Sequence, residues 1–247
     1  MERWVVAAKR ADFTAIGKEF GIDPVIARLI RNRDVQDREE IRRYLYGTVE
    51  ELASPHLMKD VDKAVEILRN KIKEKKRIRI IGDYDIDGVV STFILIKGLK
   101  RVGALADTYI PDRVADGYGI HEHLIERAVI VTCDNGIVAY NEIAMAKEKG
   151  ITVIITDHHE IPYKETEAGR ELILPPADAI VNPKQPNCNY PEKRLCGAVV
   201  ALKLVTALYE ACGIPSKELE DFLELGAIAT VGDVMDLQGE NRILVKE

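Results

Sequence analysis

The chain has 247 residues, of which 47% are hydrophobic and 31% are charged, and its formal net charge is −6. This composition is typical of a soluble globular protein with one large domain or two small ones. The apolar runs are too short to span a bilayer, and the N-terminus lacks the pattern of a secretory signal. The four cysteines are scattered, without a C-x-x-C pair, so we expect a cytoplasmic protein without a membrane partner.

The first 75 residues are predicted to be a mostly helical segment that packs on the remainder. Apolar residues recur there at steps of three and four, with Gly or Pro as punctuation. The predicted helices are FTAIGKEFG, PVIARLIRNR, REEIRRYLYG and, leading to residue 76, DVDKAVEILRNKIKEKK.

Residues 76–247 are predicted to form an α/β domain in which helices flank a largely parallel sheet. The predicted strands are RIRIIGD, ALADTYI, AVIVTCD, ITVIITD and ADAIVNP. The helices between and after them include VVSTFILIKGLKRVG, AYNEIAMAKEKG, GAVVALKLVTALYEACG and SKELEDFLELGAIAT. Strands that alternate with helices favour βαβ units and a parallel sheet. One junction, IHEHLIERAVIV, leaves no room for a turn, so we expect residues to be missing near Arg127 and Ala128.

Three of the predicted strands end in acidic groups: RIRIIGDYDIDG, AVIVTCDNG and ITVIITDHHE. Parallel strands share a direction, so these groups are expected to meet at one edge of the sheet, where ligands of such folds bind. Asp83, Asp85 and Asp87 are two residues apart, a spacing that points all three to one side of an extended chain. Two such carboxylates repel by about 4 kcal/mol at ~4 Å and an effective dielectric of ~20, so a bound cation is expected. Gly88 is expected to permit a bend before a helix that starts near Val89.

The other two acidic strand ends and the end of a later helix add possible ligands that indicate the type of metal. Asp134 follows the second acidic strand, His158 and His159 follow the third, and Asp233 and Asp236 follow a helix further along. Carboxylates with histidine and without a set of thiolates favour Mn²⁺ or Mg²⁺ over structural zinc. The donors suffice for two ions, which together can clamp the attacking and leaving oxygens of a phosphoryl transfer.

Simpler interpretations exist for each motif taken alone. DYDIDG partly matches an EF-hand loop, but the glutamate required at the twelfth position is replaced by Ile94. The Asn135-Gly136 pair is a common turn, and a His-His pair is often found on a surface loop. Neither a P-loop nor a G-x-G-x-x-G motif follows a strand, and the nucleophile elbow G-x-S-x-G is absent from the sequence.

Taken in order, DYDIDG, TCDNG, DHH and GDV resemble the metal-binding motifs of the DHH superfamily of phosphoesterases. Within that superfamily the chain resembles the RecJ family of single-strand-specific 5′→3′ DNA exonucleases. The segments that carry this closer resemblance are HLMKDVDKAV, IPDRVADGYGI, IVNPKQPNCNYP, LCGAVVALKL and GENRILV. The resemblance covers nearly the whole chain.

The resemblance implies a role for each matched residue. The matched metal ligands, for two Mn²⁺ or Mg²⁺ ions per site, are Asp83, Asp85, Asp87, Asp134, His158 and Asp233, with Asp134 bridging the ions and Asp83 ligating or supporting the first. His159 would contact the scissile phosphate, and Asp157 would hold a histidine in orientation and tautomer. Arg113 and Lys184 would contact substrate phosphates, although solvated surface charge is an equal interpretation of both.

The implied activity is hydrolysis of single-stranded DNA from its 5′ end in DNA repair and recombination. A helicase and a single-strand-binding protein are the expected partners of a monomeric enzyme. Two alternatives remain: a DHH phosphoesterase that acts on short oligoribonucleotides or cyclic dinucleotides, and a non-catalytic replication scaffold. RecJ proteins continue after this region with a cleft-closing domain and an OB-type domain, so we expect the chain to be a catalytic core that binds DNA weakly by itself.

Overall fold

The computed structural model describes residues 9–112, 128–167 and 169–247. Its helices are α1 (Phe13–Phe20), α2 (Pro24–Asn32), α3 (Arg38–Tyr46), α4 (Val61–Lys73), α5 (Ile86–Arg101), α6 (Tyr140–Glu148), α7 (Gly197–Cys212), α8 (Glu220–Gly232) and α9 (Gly239–Lys246), with 3₁₀ turns at Val49–Glu51, Pro55–Leu57 and Ser216–Leu219. Its strands are β1 (Arg77–Ile81), β2 (Leu105–Tyr109), β3 (Val129–Cys133), β4 (Thr152–Thr156), β5 (Tyr163–Thr166), β6 (Gly169–Leu172) and β7 (Ala179–Val181).

Two compact units divide the chain. One comprises Met1–Leu52 with Asp236–Glu247, and the other comprises Ala53–Met235. The predicted division near residue 75 remains a proposal. The junction at Arg127, where missing residues are expected, and the phosphate contact proposed for Arg113 lie outside the described residues.

The smaller unit is helical, as the periodicity predicted. Its first three helices each begin after an aspartate whose side chain accepts a backbone hydrogen bond, namely Asp12, Asp23 and Asp37. Ile30, Val35 and Ile41 form its small buried cluster. The sequence did not predict α9, because eight residues with few apolar positions give too weak a periodic signal.

A five-stranded parallel sheet organises the larger unit, in the order β2-β1-β3-β4-β7. All five strands correspond to strands predicted from sequence. From β1 the chain turns first to one side, to β2, and then crosses to the other side, to β3. The strand order therefore reverses between β1 and β3, and the crevice at such a point is where open α/β sheets bind ligands.

Helices cover both faces of this sheet, which explains why its central strands are apolar throughout. On one face α6 packs on a cluster that includes Ile81, Ile130 and Ile155. On the opposite face α7 contacts β3 and β4, and it packs against α4, α5 and α8. Because most of α7 is buried, its first turn has a fixed position beneath the carboxyl ends of the strands.

Two local features differ from the prediction. The segment after β4 forms an exposed antiparallel hairpin, β5-β6, which the sequence did not indicate because it lacks an apolar face. Helix α5 begins at Ile86 and not near Val89. Gly88 therefore lies inside the helix, where a Cβ atom would come within 2.5 Å of Asp83 Cβ, so glycine is required there for a close approach and not for a bend.

Candidate metal centre

The three aspartates after β1 occupy three different structural positions. Asp83 is buried in the loop, Asp85 is the N-cap of α5, and Asp87 lies in the first turn of that helix. The Asp85 carboxylate accepts a hydrogen bond from the backbone N–H of Gly88 at 2.9 Å. The prediction of an extended chain with all three side chains on one side is therefore wrong, because the helix starts earlier than expected. A helical first turn separates the three carboxylates into two groups.

Asp87 is 1% exposed, and the first turn of α7 holds its carboxylate. The backbone N–H of Gly197 donates to Oδ2 at 2.5 Å, and that of Ala198 donates to Oδ1 at 2.8 Å. Each oxygen keeps a further lone pair for another partner. His158 Nε2 lies 3.6 Å from Asp87 Oδ2.

Asp134 follows β3 directly and is also 1% exposed. Its backbone is left-handed, with φ of 58°, a conformation that Asp and Asn adopt more readily than most residues. Its Oδ1 lies 3.1 Å from His158 Nε2 but receives no hydrogen bond from the described residues. Burial, together with repulsion from Asp87 and Asp85, raises the pKa of Asp134 to about 11. No lysine or arginine of the described residues pairs with this buried group, and His159 Nδ1 lies 4.0 Å from its Oδ1.

The segment after β4 is arranged by Asp157, which is completely buried. Its Oδ1 accepts hydrogen bonds from the backbone N–H groups of His158 and His159 and from His159 Nδ1, and its Oδ2 accepts one from Ile137 N. Burial alone would raise the pKa of Asp157, but the hydrogen bonds from His159 and Ile137 outweigh it and lower the pKa. The same bond to Asp157 raises the pKa of His159, so Asp157 favours a protonated, fixed imidazole.

His158 has the opposite environment. Burial lowers its pKa, which keeps the imidazole in the neutral form that binds metals. Its Nε2 lies within 3.7 Å of oxygens of Asp87, Asp134 and Asp233, whereas its Nδ1 is buried without a hydrogen-bond partner among the described residues. Nε2 is therefore the nitrogen aimed at the carboxylates.

The described residues provide three overlapping groups whose donor atoms lie within 4.8 Å of one another. The groups are Asp83 with Asp85 and Asp134, Asp134 with His158 and His159, and Asp87 with His158 and Asp233. The structure thus brings together all six candidate ligands from the sequence, together with His159. Asp236 joins none of these three groups.

This donor set fits the divalent ions that the sequence predicted. It consists of carboxylates and imidazoles, and no lysine or arginine of the described residues forms an ion pair with Asp87, Asp134 or Asp233. Among the described residues, the nearest groups that can carry a positive charge are therefore the imidazoles of His158 and His159. Such oxygen and imidazole donors suit Mn²⁺ and also accommodate Mg²⁺.

Lys184 lies beside this centre, and its Nζ pairs with Glu160 Oε1 at 2.9 Å. The sequence did not single out Asn182, which is fully buried. Its Nδ2 donates to the carbonyl of His159 at 3.1 Å, and its Oδ1 accepts from the backbone N–H of Lys184 at 2.8 Å. Its position directly after β7, at the same edge of the sheet, was the only signal that could have marked it.

Comparisons with known proteins agree with this geometry. The family model described as "DHH family, N-terminal domain" matches residues 77–230. The single-stranded-DNA-specific exonuclease RecJ of Bacillus subtilis (strain 168) is 38% identical over 250 residues, which cover 98% of this chain and 30% of that protein. The chain therefore spans less than a third of the length of this relative.

Solved structures give the same result. RecJ from Thermus thermophilus in complex with Mn²⁺ aligns with a TM-score of 0.72 and 33% identity, over 95% of this chain and 32% of that one. A structure of exonuclease RecJ bound to manganese aligns with a TM-score of 0.67 and 36% identity, over 76% of this chain and 47% of that one. The sheet, the order of the acidic motifs along it and a family match over more than half of the sequence all agree, and the chain belongs to the DHH family.

Proposed function

We propose that the chain is the catalytic core of an exonuclease that hydrolyses single-stranded DNA from the 5′ end and uses two Mn²⁺ or Mg²⁺ ions. The observation that carries this proposal is the set of overlapping donor groups, in which Asp134 belongs to two groups and His158 to two. A donor shared by two groups is what a pair of neighbouring ions requires. When bound, such ions supply an activated water and neutralise the charge that develops on the phosphate.

The residues of the chain have separate tasks in this reaction. Asp83, Asp85, Asp87, Asp134, His158 and Asp233 hold the ions. His159 donates a hydrogen bond to a non-bridging phosphate oxygen, since its bond to Asp157 favours the protonated imidazole. His159 is the partly exposed histidine of the pair, with 44% of its side chain accessible, so a phosphate can reach it.

Single-stranded DNA is proposed as the substrate because RecJ relatives that are specific for it match 90% or more of this chain. Lys184 is proposed to contact a phosphate. To do so it would exchange its ion pair with Glu160, whose side chain is 85% exposed, for an ion pair with the phosphate. Arg113 is proposed for a second phosphate contact. Exposed ion pairs contribute little, so the phosphate can replace Glu160 at small cost.

The test is a cleavage assay of the 247-residue chain after removal of metal with EDTA. The substrates are a 5′-labelled single strand with a 5′ phosphate, the same strand in a duplex, and a dinucleotide. With Mn²⁺ we expect labelled mononucleotide from the single strand and little product from the duplex. Asp134→Ala should abolish release, whereas Asp62→Ala, which removes a carboxylate that is 67% exposed on α4, should not.

Three outcomes contradict the proposal in different ways. Activity on the dinucleotide alone would assign the chain to the phosphoesterases of small substrates. Release of label that persists in EDTA or in the Asp134→Ala variant would remove the metal centre from the mechanism. Mn²⁺ binding without cleavage of any substrate would favour a non-catalytic role for this chain.

The proposal also covers the partners, the location and the oligomeric state of the enzyme. A single strand with a free 5′ end arises when a duplex is unwound, so a helicase and a single-strand-binding protein are the proposed partners, and the cytoplasm is the proposed location. The described residues contain no helix of the length and hydrophobicity needed to cross a membrane. We propose a monomer, because all the candidate ligands come from one chain, and light scattering of the purified protein would test this.

A further inference from the structure

The first turn of α7 contacts two carboxylates of the metal centre, Asp87 and Asp134, and the proposed reaction assigns no role to these contacts. Gly197 and Ala198, the first two residues of the helix, direct successive backbone N–H groups at the two oxygens of Asp87. Hydrogen bonds from backbone amides to a carboxylate are strong and directional. They fix the plane of the Asp87 carboxylate, and with it the direction of the lone pairs that remain towards the donor group shared with His158 and Asp233.

The second contact, with Asp134, depends on the absence of a side chain at Gly197. A Cβ atom built there would lie 2.8 Å from Asp134 Cβ and 2.9 Å from Asp134 Oδ1, closer than real Cβ atoms approach. Helix α7 can therefore reach Asp87 and lie against Asp134 at the same time only if this position is glycine. Asp134 Oδ1 is one of the buried oxygens that have no hydrogen-bond donor among the described residues.

We propose that Gly197 and Ala198 are positioning residues of the metal centre, which set the separation between Asp87 in one donor group and Asp134 in the others. The inference rests on the proposed metal site and assigns no ligand role to α7 itself. Most of α7 is buried, so its first turn acts as a fixed reference for the two carboxylates. The positive end of the helix also opposes the mutual repulsion of the acidic groups.

The test compares two Gly→Ala variants of buried helical glycines. Gly197→Ala places a methyl group against Asp134, whereas Gly226→Ala in α8 meets only ordinary contacts, 3.5 Å from Val199 Cγ2 and 3.7 Å from Leu202 Cδ2. The affinity of the EDTA-treated chain for Mn²⁺ alone is measured by calorimetry at a temperature where the metal-free variants are folded. We expect Gly197→Ala to weaken Mn²⁺ binding roughly 10–100-fold, the effect of disturbing groups that orient metal ligands, and Gly226→Ala to bind like the wild type.

A second variant tests the inference even if Gly197→Ala does not fold. Ala198→Pro replaces the N–H that donates to Asp87 Oδ1 at 2.8 Å by a ring methylene, which removes the hydrogen bond and displaces the carboxylate, in the first turn of a helix where no intrahelical hydrogen bond is lost. It should also weaken Mn²⁺ binding while circular dichroism retains the helical signal. Wild-type affinity in both the Gly197 and Ala198 variants would overturn the inference. Failure of the wild-type chain to bind Mn²⁺ would instead overturn the metal site of the proposed function.

Discussion

Replacement of Asp134 by asparagine is expected to stabilise the metal-free chain, although it removes a candidate metal ligand. Burial and the neighbouring Asp87 and Asp85 raise the pKa of Asp134 to about 11, so the folded protein keeps a proton that the unfolded chain releases. The pKa of an unfolded aspartate is about 4. Between about pH 4 and about pH 11 the native state therefore binds more protons than the unfolded state. The free energy of unfolding therefore falls as the pH rises through this range.

The magnitude follows from the interval between the unfolded pKa and the working pH. An unfolded aspartate has a pKa of about 3.9, and each unit is worth about 1.4 kcal/mol, so the cost to the folded state is about 4 kcal/mol at pH 7 and roughly 1–2 kcal/mol at pH 5. The result at pH 7 does not depend on how far above 7 the folded value lies. Because neighbouring groups share the proton, we expect Asp134→Asn to recover about 2–4 kcal/mol. Asparagine also suits the left-handed backbone at this position.

The assay is urea unfolding of wild type and Asp134→Asn in EDTA at pH 5 and pH 7, repeated with Mn²⁺. The variant should be the more stable protein in EDTA, with a larger gap at pH 7, and the order should reverse in Mn²⁺ because only the wild type gains binding energy. Asp34→Asn is the matched control, since Asp34 is also left-handed, with φ of 64°, but exposed. A variant that is less stable than wild type in EDTA at pH 7, or a gap that is equal at both pH values, would refute the reasoning.

Two further predictions concern other titratable groups. Asp157→Asn removes a buried charged acceptor of several hydrogen bonds, so it should lower the free energy of unfolding by about 2–4 kcal/mol and lower the pKa of His159. The titration of His159 is followed by NMR in the metal-free protein, and an unchanged titration would contradict this. Hydrogen bonds to Glu210 and Asp62 raise the pKa of His56, so its contribution is fully present below about pH 6.5 and is lost as the pH rises through the folded value. His56 is partly exposed, so His56→Ala should cost under about 1 kcal/mol at pH 6 and less at pH 8 in urea unfolding; equal losses at both pH values would count against the role of these bonds.

The sheet and most of the candidate ligands could be predicted because both depend on patterns that are local in sequence. The central strands are short apolar runs, since helices cover both faces of the sheet, and each acidic run marks the end of a strand. Asp134 and His158 could then be assigned to one edge of the sheet from strand direction alone. Asp233 follows a helix and not a strand, so the residues alone indicated both Asp233 and Asp236, and only the family resemblance selected Asp233.

Other features depend on contacts between distant segments and could not be predicted. The start of α5 at Ile86 depends on Asp85 as its N-cap, which competed with the alternating pattern of an extended chain. The amide donors of Gly197 and Ala198 have no side-chain chemistry to reveal them, and their approach to Asp87 spans more than a hundred residues of sequence. Asn182 follows a strand of only three residues, so nothing local distinguished it from an ordinary turn residue.

The order of the strands explains why Asp134 joins the donors that follow β1 to those that follow β4. Strand β3 lies between β1 and β4, so a side chain at its carboxyl end has Asp83 and Asp85 on one side and His158 and His159 on the other. A residue after an outer strand could reach only one of these sets. The burial of Asp134 between acidic neighbours is also the structural reason for its raised pKa. The same placement that destabilises the metal-free chain at this position puts Asp134 in two of the three donor groups.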